Sequence, residues 1–309
     1  YLMTFVLRTS YTYNSDGLKR FFLNRLLRIF PPYWIACLFS ATVISFVPSL
    51  ALSMNQGLSW PDSAHEFFLN IAILGHIPPS EVSRLVPPVW TLHVELVFYI
   101  CIALFLTKTD RRIIIWLVVS VLGTIVLNLR SPTFNDFVQN CYFSTVAGSL
   151  PFSIGAFVFL IRSRLKILET ILPRSTLIYI GLTVLLILGL GLLSKLYDHF
   201  QTNSLFRILY YSGLVASGFF VLISSFLRVP HSWLMSLDKL LGDYSYPIYL
   251  VHWPVAVLTT AIIGEFGWTL ERGFFLFLLT LLVSVIFSEL IRRFVDTPID
   301  RLRGQIKRR

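Results

Sequence analysis

The feature that most constrains this chain is a series of apolar runs, each long enough to cross a membrane. About 20 apolar residues in a helix span the roughly 30 Å of hydrocarbon in a bilayer. Of the 309 residues, 55% are hydrophobic and 14% are charged, whereas soluble domains keep about a quarter of their residues charged. We therefore expect an all-α fold, a polytopic transmembrane helix bundle with about eight full spans and a partial N-terminal helix at 1–7. The expected spans are residues 31–48, 88–107, 113–129, 144–161, 175–193, 207–227, 244–263 and 271–291.

The basic residues predict the orientation of these spans. If the segment before residue 31 is cytoplasmic and the sides alternate, 21 of the 26 Lys and Arg residues are cytoplasmic, an excess that orients membrane proteins. The basic tail at 299–309 should then lie on the anionic cytoplasmic membrane surface. Topology and membrane lipids therefore account for the net charge of +10, and no nucleic-acid partner is expected. The five basic residues that fall on the other side of the membrane in this topology are Arg84, Arg130, Lys195, Arg207 and Arg272.

Two further features concern the outer loop and the cysteines. The longest outer loop, 49–86, contains an apolar stretch at 65–76 that is too short to span, which predicts an interfacial or re-entrant helix. The three cysteines lie in or beside apolar runs, where they offer neither a disulfide framework nor metal-ligand spacing. No metal is expected.

A carboxylate inside the second apolar run indicates a functional site. A charged group near the bilayer centre costs roughly 2.5–3.5 kcal/mol, so Glu95 should face the bundle interior or a partner. If Pro87 and Pro88 start the helix, Glu95 lies about two turns inside it. Tyr99 at i+4 and Trp90 would then share with Glu95 the wall of a polar pocket. Alternatively, Glu95 is structural and hydrogen-bonds a neighbouring helix.

Two arginines precede the first full span. Arg25 and Arg28 have i, i+3 spacing, which places them on one helix face just below the membrane, ahead of an expected break at Pro31–Pro32. Two guanidinium groups at this spacing suit phosphate groups, since each can donate two parallel hydrogen bonds. The alternative is that both arginines are juxtamembrane anchors.

A third segment carries a polar stripe on an otherwise apolar helix. Ser245, Tyr249 and His252 have i, i+4, i+7 spacing, and a histidine within a membrane helix suits proton transfer. The alternative is a histidine that a neighbouring helix satisfies. Asp243, with Ser245, is expected to cap the start of this helix.

Taken in order, these three segments resemble motifs of the membrane-bound acyltransferase family 3, which includes bacterial O-acetylases and macrolide acylases. Asn24–Trp34, NRLLRIFPPYW, resembles the family's Arg-x-x-Arg-Ile-x-Pro motif. Val89–Tyr99, VWTLHVELVFY, resembles Trp-Ser-Leu-x-x-Glu-x-x-Phe-Tyr, with Thr91 where serine is usual. Tyr244–Pro254, YSYPIYLVHWP, resembles Ser-Tyr-x-x-Tyr-Leu-x-His. The likeness covers nearly the whole chain and implies one domain, 1–309.

The resemblance implies an O-acyltransferase of the bacterial inner membrane. It would move an acyl group, most often acetyl, from acyl-CoA to a hydroxyl of a carbohydrate or lipid-linked glycan. Arg25 and Arg28 would bind the phosphates of coenzyme A, and Glu95 and His252 would be catalytic. The residues implied to bind substrate are Trp90, Tyr99, Ser245 and Tyr249.

The chain also departs from the family pattern. The family's catalytic histidine lies in the first membrane helix, and 1–5 resembles the tail of a motif that ends the second. We therefore expect an N-terminally truncated domain. Two alternatives are a transporter or flippase for a glycan precursor, because intramembrane Glu and His also mark proton relays, and a catalytically inactive family member.

Overall fold

The computed structural model describes residues 1–11, 13–74, 83–165, 203–226, 232–264 and 270–308, with isolated positions at 181, 184–185 and 188–189. Within these ranges the chain is helical and contains no strand, which confirms the all-α class. Short π-helical segments extend α1, α5, α7 and α11. The helices are α1 Leu2–Val6, α2 Ser15–Phe46, α3 Pro48–Met54, α4 Ala64–Ala72, α5 Val89–Cys101, α6 Asp110–Leu129, α7 Phe134–Phe137, α8 Ser149–Arg164, α9 Asn203–Phe226, α10 Ser232–Ile263, α11 Leu270–Ile291 and α12 Thr297–Arg308.

In the described part of the chain, six helical segments are long and apolar enough to cross a membrane. The expected span at 144–161 corresponds to α8, which has 16 residues, and most of 175–193 lies outside the described residues. The prediction of a polytopic helix bundle is confirmed. The six segments are Ser15–Phe46, Val89–Leu106, Asp110–Leu129, Leu205–Phe226, Met235–Ile263 and Arg272–Ile306.

The chain divides into two compact units, each built from two separate stretches of sequence. The first unit comprises Tyr1–Tyr13 and Val97–Ser236, and the second comprises Asn14–Leu96 and Leu237–Arg309. Helices α5 and α10 each contribute residues to both units. The second unit contains all three motif segments except the end of the second one.

Hydrogen-bonded hydroxyl groups hold the first unit together where α6 meets α8. The indole Nε1 of Trp116 donates to the Ser149 hydroxyl at 2.8 Å, and the Ser120 hydroxyl lies 2.7 Å from the same oxygen. Such bonds matter between membrane helices because hydrocarbon offers polar groups no other partner.

A buried asparagine organises the outer loop of the second unit. The side chain of Asn70, at the end of α4, donates to the Ser83 carbonyl at 2.8 Å and accepts from the Leu85 amide at 2.9 Å. The Tyr33 hydroxyl of α2 donates to the Asn70 carbonyl at 2.7 Å. These bonds fix the loop against α2 just before α5 begins. The short helix expected within 65–76 is present as α4, while 75–82 lies outside the described residues.

Two expected helix boundaries are wrong. Helix α2 continues through Pro31 and Pro32 without a break. Proline removes an i→i−4 hydrogen bond, but membrane helices tolerate this when neighbouring groups satisfy the backbone. The Tyr246 hydroxyl donates to the carbonyl of the neighbouring Ile29 at 2.9 Å, which ties this part of α2 to α10. Asp243 does not cap a helix, because α10 begins at residue 232 and Asp243 lies well inside it.

The contact between α8 and α9 provides a test of the packing. A Cβ atom at Gly218 would lie 2.8 Å from Ile154 Cγ2, whereas Gly213 on the same helix has no neighbour within 4 Å of that position. We expect Gly218→Ala to lower the melting temperature of the detergent-solubilised protein, because overpacking costs about 1–3 kcal/mol. The matched control, Gly213→Ala, should not lower it. Equal melting temperatures would contradict this packing.

Candidate functional site

The second unit brings the three motif segments together in pairs. The first and third meet where Tyr246 of α10 donates to the Ile29 carbonyl of α2. The second and third meet where the Tyr249 hydroxyl of α10 contacts Pro88 and Thr91 at the start of α5. Segments far apart in sequence therefore line one region of one unit.

Three oxygen atoms form the link between α5 and α10. The hydroxyl groups of Thr91 and Tyr249 are in hydrogen-bond contact, and each lies 3.0 Å from the Pro88 carbonyl oxygen. The carbonyl can only accept, and each hydroxyl carries one proton. One hydroxyl therefore donates to the carbonyl while the other donates to its neighbour. Thr91 takes part in this link through its hydroxyl group, which the serine that is usual in the family also has.

The hydrogen bonds of two histidines determine their tautomers. The Nδ1 atom of His252 lies 2.8 Å from the Tyr249 carbonyl, and Nδ1 of His93 lies 3.1 Å from the Ile73 carbonyl. Because a carbonyl accepts and does not donate, Nδ1 carries the proton in each ring. In the neutral form, Nε2 then holds the lone pair that can accept a proton. His93 was not among the expected site residues, although its place two positions before Glu95 is visible in the sequence.

The structure places the other expected residues in different environments. Glu95 and Trp90 are partly buried in the second unit, whereas Tyr99 is buried in the first unit. Ser245 is exposed, and its hydroxyl donates to the Gly242 carbonyl of its own helix at 2.8 Å. The roles expected for these four residues remain predictions.

A cavity of about 290 Å³ lies entirely within the second unit. This is near the lower end of the roughly 300–1,000 Å³ typical of small-molecule sites. Its wall contains three arginines and three aspartates, so the charges of the wall are balanced. The lining residues are Leu27, Arg28, Gly242, Asp243, Tyr246, Pro247, Arg292, Asp296, Thr297, Ile299, Asp300 and Arg303.

The two expected phosphate-binding arginines differ in position. Arg28 lines the cavity and is exposed, and its side chain forms no hydrogen bond with the residues that the structure describes. Arg25 is only 7% exposed, does not line the cavity, and places its guanidinium 5.4 Å from the centre of the Phe21 ring. The i, i+3 spacing is correct, but the packing around α2 separates the environments of the two side chains.

Hydrogen bonds hold the other cavity arginines in place. Arg292 forms a bidentate pair with Glu289, at 2.7 and 2.8 Å, and Glu289 also accepts from the Tyr244 hydroxyl at 2.6 Å. Arg303 of α12 donates through Nε to the Asn24 side chain of α2 at 2.7 Å. Such bonds reduce the conformational entropy that an arginine loses when it binds a ligand.

This C-terminal wall was not among the expected sites, although the sequence contains a signal for it. Arg292, Asp296, Asp300 and Arg303 have i, i+4, i+8, i+11 spacing, which places them on one face of a helix. The tail was expected to lie on the membrane surface. One face of α12 also contributes to the cavity, while Arg301 on the same helix is exposed.

Prolines give the cavity a further property. In an α-helix the amide of residue i donates to the carbonyl of residue i−4, and proline has no such amide. Pro31 and Pro32 therefore deprive the carbonyls of Leu27 and Arg28 of their usual donor. Pro247 does the same to the carbonyl of Asp243, and each of these three residues lines the cavity. Three residues of the wall therefore have a carbonyl that lacks its usual donor within the helix.

Comparison with known proteins identifies the family of this bundle. The sequence profile of the acyltransferase domain of family 3 matches residues 1–289. The chain belongs to this family. The family and the apolar helices together make it a membrane acyltransferase. No curated protein and no solved structure gives a significant match.

The link between α5 and α10 in this acyltransferase can be measured with a double-mutant cycle. We expect Tyr249→Phe and Thr91→Val each to lower the free energy of unfolding, because each removes a hydrogen bond between membrane helices. Their coupling energy should be about 0.6 kcal/mol, the average for such bonds. The coupling energy is measured by unfolding the unsubstituted protein, both single variants and the double variant in detergent. A coupling energy near zero would contradict the contact.

Proposed function

We propose that this protein is an O-acyltransferase that moves an acyl group, acetyl in the first instance, from acyl-CoA to a hydroxyl of a cell-surface or exported carbohydrate or a lipid-linked glycan. The observation that carries this proposal is the cavity beside Arg28, formed where the first and third motif segments meet. Family membership supports acyl transfer. The donor, the acetyl group and the acceptor belong to the proposal.

Arg28 would bind the donor directly. Its guanidinium lines the cavity and forms no hydrogen bond with the described residues, so its donors remain available for phosphate oxygens. Arg25 would support the same segment from a buried position against Phe21. The positive-inside distribution of basic residues supports a cytoplasmic position for this end of α2, on the side of the bacterial inner membrane where acyl-CoA would be available.

The reaction requires a base and a protected thioester. The acceptor hydroxyl attacks the thioester carbonyl while its proton passes to a base. The carbon–sulfur bond then breaks, and coenzyme A leaves as a thiolate that takes up a proton. Glu95 and His252 would be the acid–base residues, and Nε2 of His252 has the lone pair needed to accept a proton. The residues proposed to bind the acceptor are Trp90, Tyr99, Ser245 and Tyr249.

Incubation of membranes containing the full-length protein with acetyl-CoA labelled on the acetyl group tests this function. We expect consumption of acetyl-CoA and transfer of the label to a glycan. Membranes that neither consume acetyl-CoA nor label a glycan would overturn the proposal and favour a transporter or an inactive family member.

Substitution of Arg28 tests its role in donor binding. Arg28→Ala should weaken the affinity of the full-length protein for coenzyme A by about tenfold or more, because hydrogen bonds to charged groups contribute about 1.5–3 kcal/mol. Lysine should restore only part of the affinity, since it cannot bind in a bidentate way. Lys19→Ala is the matched control, because Lys19 is exposed on the same helix and does not line the cavity. Calorimetric titration with coenzyme A measures the affinity of all three variants. If Arg28→Ala binds as tightly as the unsubstituted protein, Arg28 is a membrane anchor.

Two substitutions of Glu95 test whether it is catalytic. Glutamine keeps the shape and hydrogen bonding of glutamate but removes its charge, so Glu95→Gln should abolish acyl transfer while membrane protein levels stay normal. If Glu95 is instead structural, glutamine should be nearly silent, and leucine should reduce protein levels by leaving a partner unpaired at about 1–3 kcal/mol. Transfer assays and immunoblots of both variants separate the two roles. Activity that survives in Glu95→Gln would remove Glu95 from the catalytic residues.

A further inference from the structure

The C-terminal helical segment forms half of the cavity wall. Six of the twelve lining residues come after residue 289, where the match to the family ends. We propose that Arg303 of this segment, together with Arg28, binds the phosphates of a nucleotide, so that α12 is part of the donor site. This inference rests on the proposed function, because the nucleotide would be the adenosine phosphate half of acyl-CoA.

Arg303 is positioned for this role by the helix that carries Arg28. Its Nε atom donates to Asn24 Oδ1 at 2.7 Å, and one of its terminal nitrogens contacts Asp300. Asn24 is buried and lies one turn before Arg28 on α2. A guanidinium has five N–H donors. Among the described residues none bonds the second terminal nitrogen of Arg303, so both of its donors are available to a ligand. The two arginines thus reach the same cavity from different helices.

The charge of the wall indicates a nucleotide rather than a simple anion. Asp243, Asp296 and Asp300 line the same cavity as the arginines, and carboxylates repel a ligand that consists only of phosphate. A nucleotide carries phosphates that suit the guanidinium groups and also amino and hydroxyl groups that donate hydrogen bonds. The aspartates are acceptors for such donors. At about 290 Å³ the cavity suits one part of coenzyme A rather than the whole molecule.

Arg292 has a different part in this arrangement. Both oxygens of Glu289 hold its guanidinium, and the Tyr244 hydroxyl binds the same carboxylate. This network ties the end of α11 to α10 and positions the start of the C-terminal wall. Arg28, which forms no hydrogen bond with the described residues, therefore has more donors available for phosphate than Arg292 has. Arg303 has the same number as Arg292, because each of the two donates two hydrogen bonds.

Calorimetric titration of the purified full-length protein with adenosine 3′,5′-bisphosphate, coenzyme A and inorganic pyrophosphate tests the inference. Arg303→Ala should lower the affinity for the bisphosphate and for coenzyme A by about tenfold. Arg301→Ala removes the same charge from an exposed position on α12 that does not line the cavity, and it should change these affinities less than about twofold. Pyrophosphate should bind the unsubstituted protein at least about tenfold more weakly than the bisphosphate.

The possible outcomes separate this inference from the proposed function. If the unsubstituted protein does not bind coenzyme A, the proposed function fails. If it binds and Arg28→Ala weakens binding, but Arg303→Ala behaves like Arg301→Ala, only the role of α12 is overturned. Pyrophosphate binding as tight as that of the bisphosphate would overturn the assignment of a nucleotide. Should Arg303→Ala fail to fold, Arg303→Lys decides: a several-fold loss supports the role, and unchanged affinity overturns it.

Discussion

The Tyr249 hydroxyl needs a partner inside a helix bundle, and its contacts with Pro88 and Thr91 provide one. An unsatisfied polar group in hydrocarbon costs several kcal/mol, so α5 and α10 pack in the register that brings these oxygens together. Pro88 immediately precedes α5, and the same contact therefore fixes the start of the helix that carries Glu95. On the other side of that start, the hydrogen bonds of Asn70 hold the preceding loop against α2. The motif segments thus depend on a few satisfied polar groups for their mutual positions within the second unit.

Prolines would ordinarily weaken the helices on which the cavity is built. Each removes one backbone hydrogen bond, yet α2 and α10 remain helical through Pro31, Pro32 and Pro247. The freed carbonyls belong to residues that line a polar cavity, where a ligand or water can satisfy them more readily than lipid can. Three of the prolines in α2 and α10 therefore affect residues at the cavity, whereas Pro254 of α10 affects Leu250, which does not line it.

Periodicity and composition predict the parts of this fold that depend on local sequence. The apolar runs give the helices, and the turn before α5 follows from Pro87 and Pro88. Exposure is harder to predict, since Arg25 and Arg28 have the spacing of one helix face but differ in burial because α2 packs against several neighbours. The C-terminal wall depends on a contact between Asn24 and Arg303 across most of the chain, and no local pattern specifies such a partner.

The proposed topology also assigns different positions to Glu95 and His252. With alternating sides, α5 runs towards the cytoplasm and α10 runs away from it. Glu95 lies one turn after Thr91, about 6 Å towards the cytoplasm, and His252 lies three residues after Tyr249, about 4.5 Å in the opposite direction. Because the cavity residues of α10 precede Tyr249, Glu95 would lie on the donor side of the contact between α5 and α10. His252 would lie on the opposite side, and the hydroxyls of Thr91 and Tyr249 would occupy the level between them.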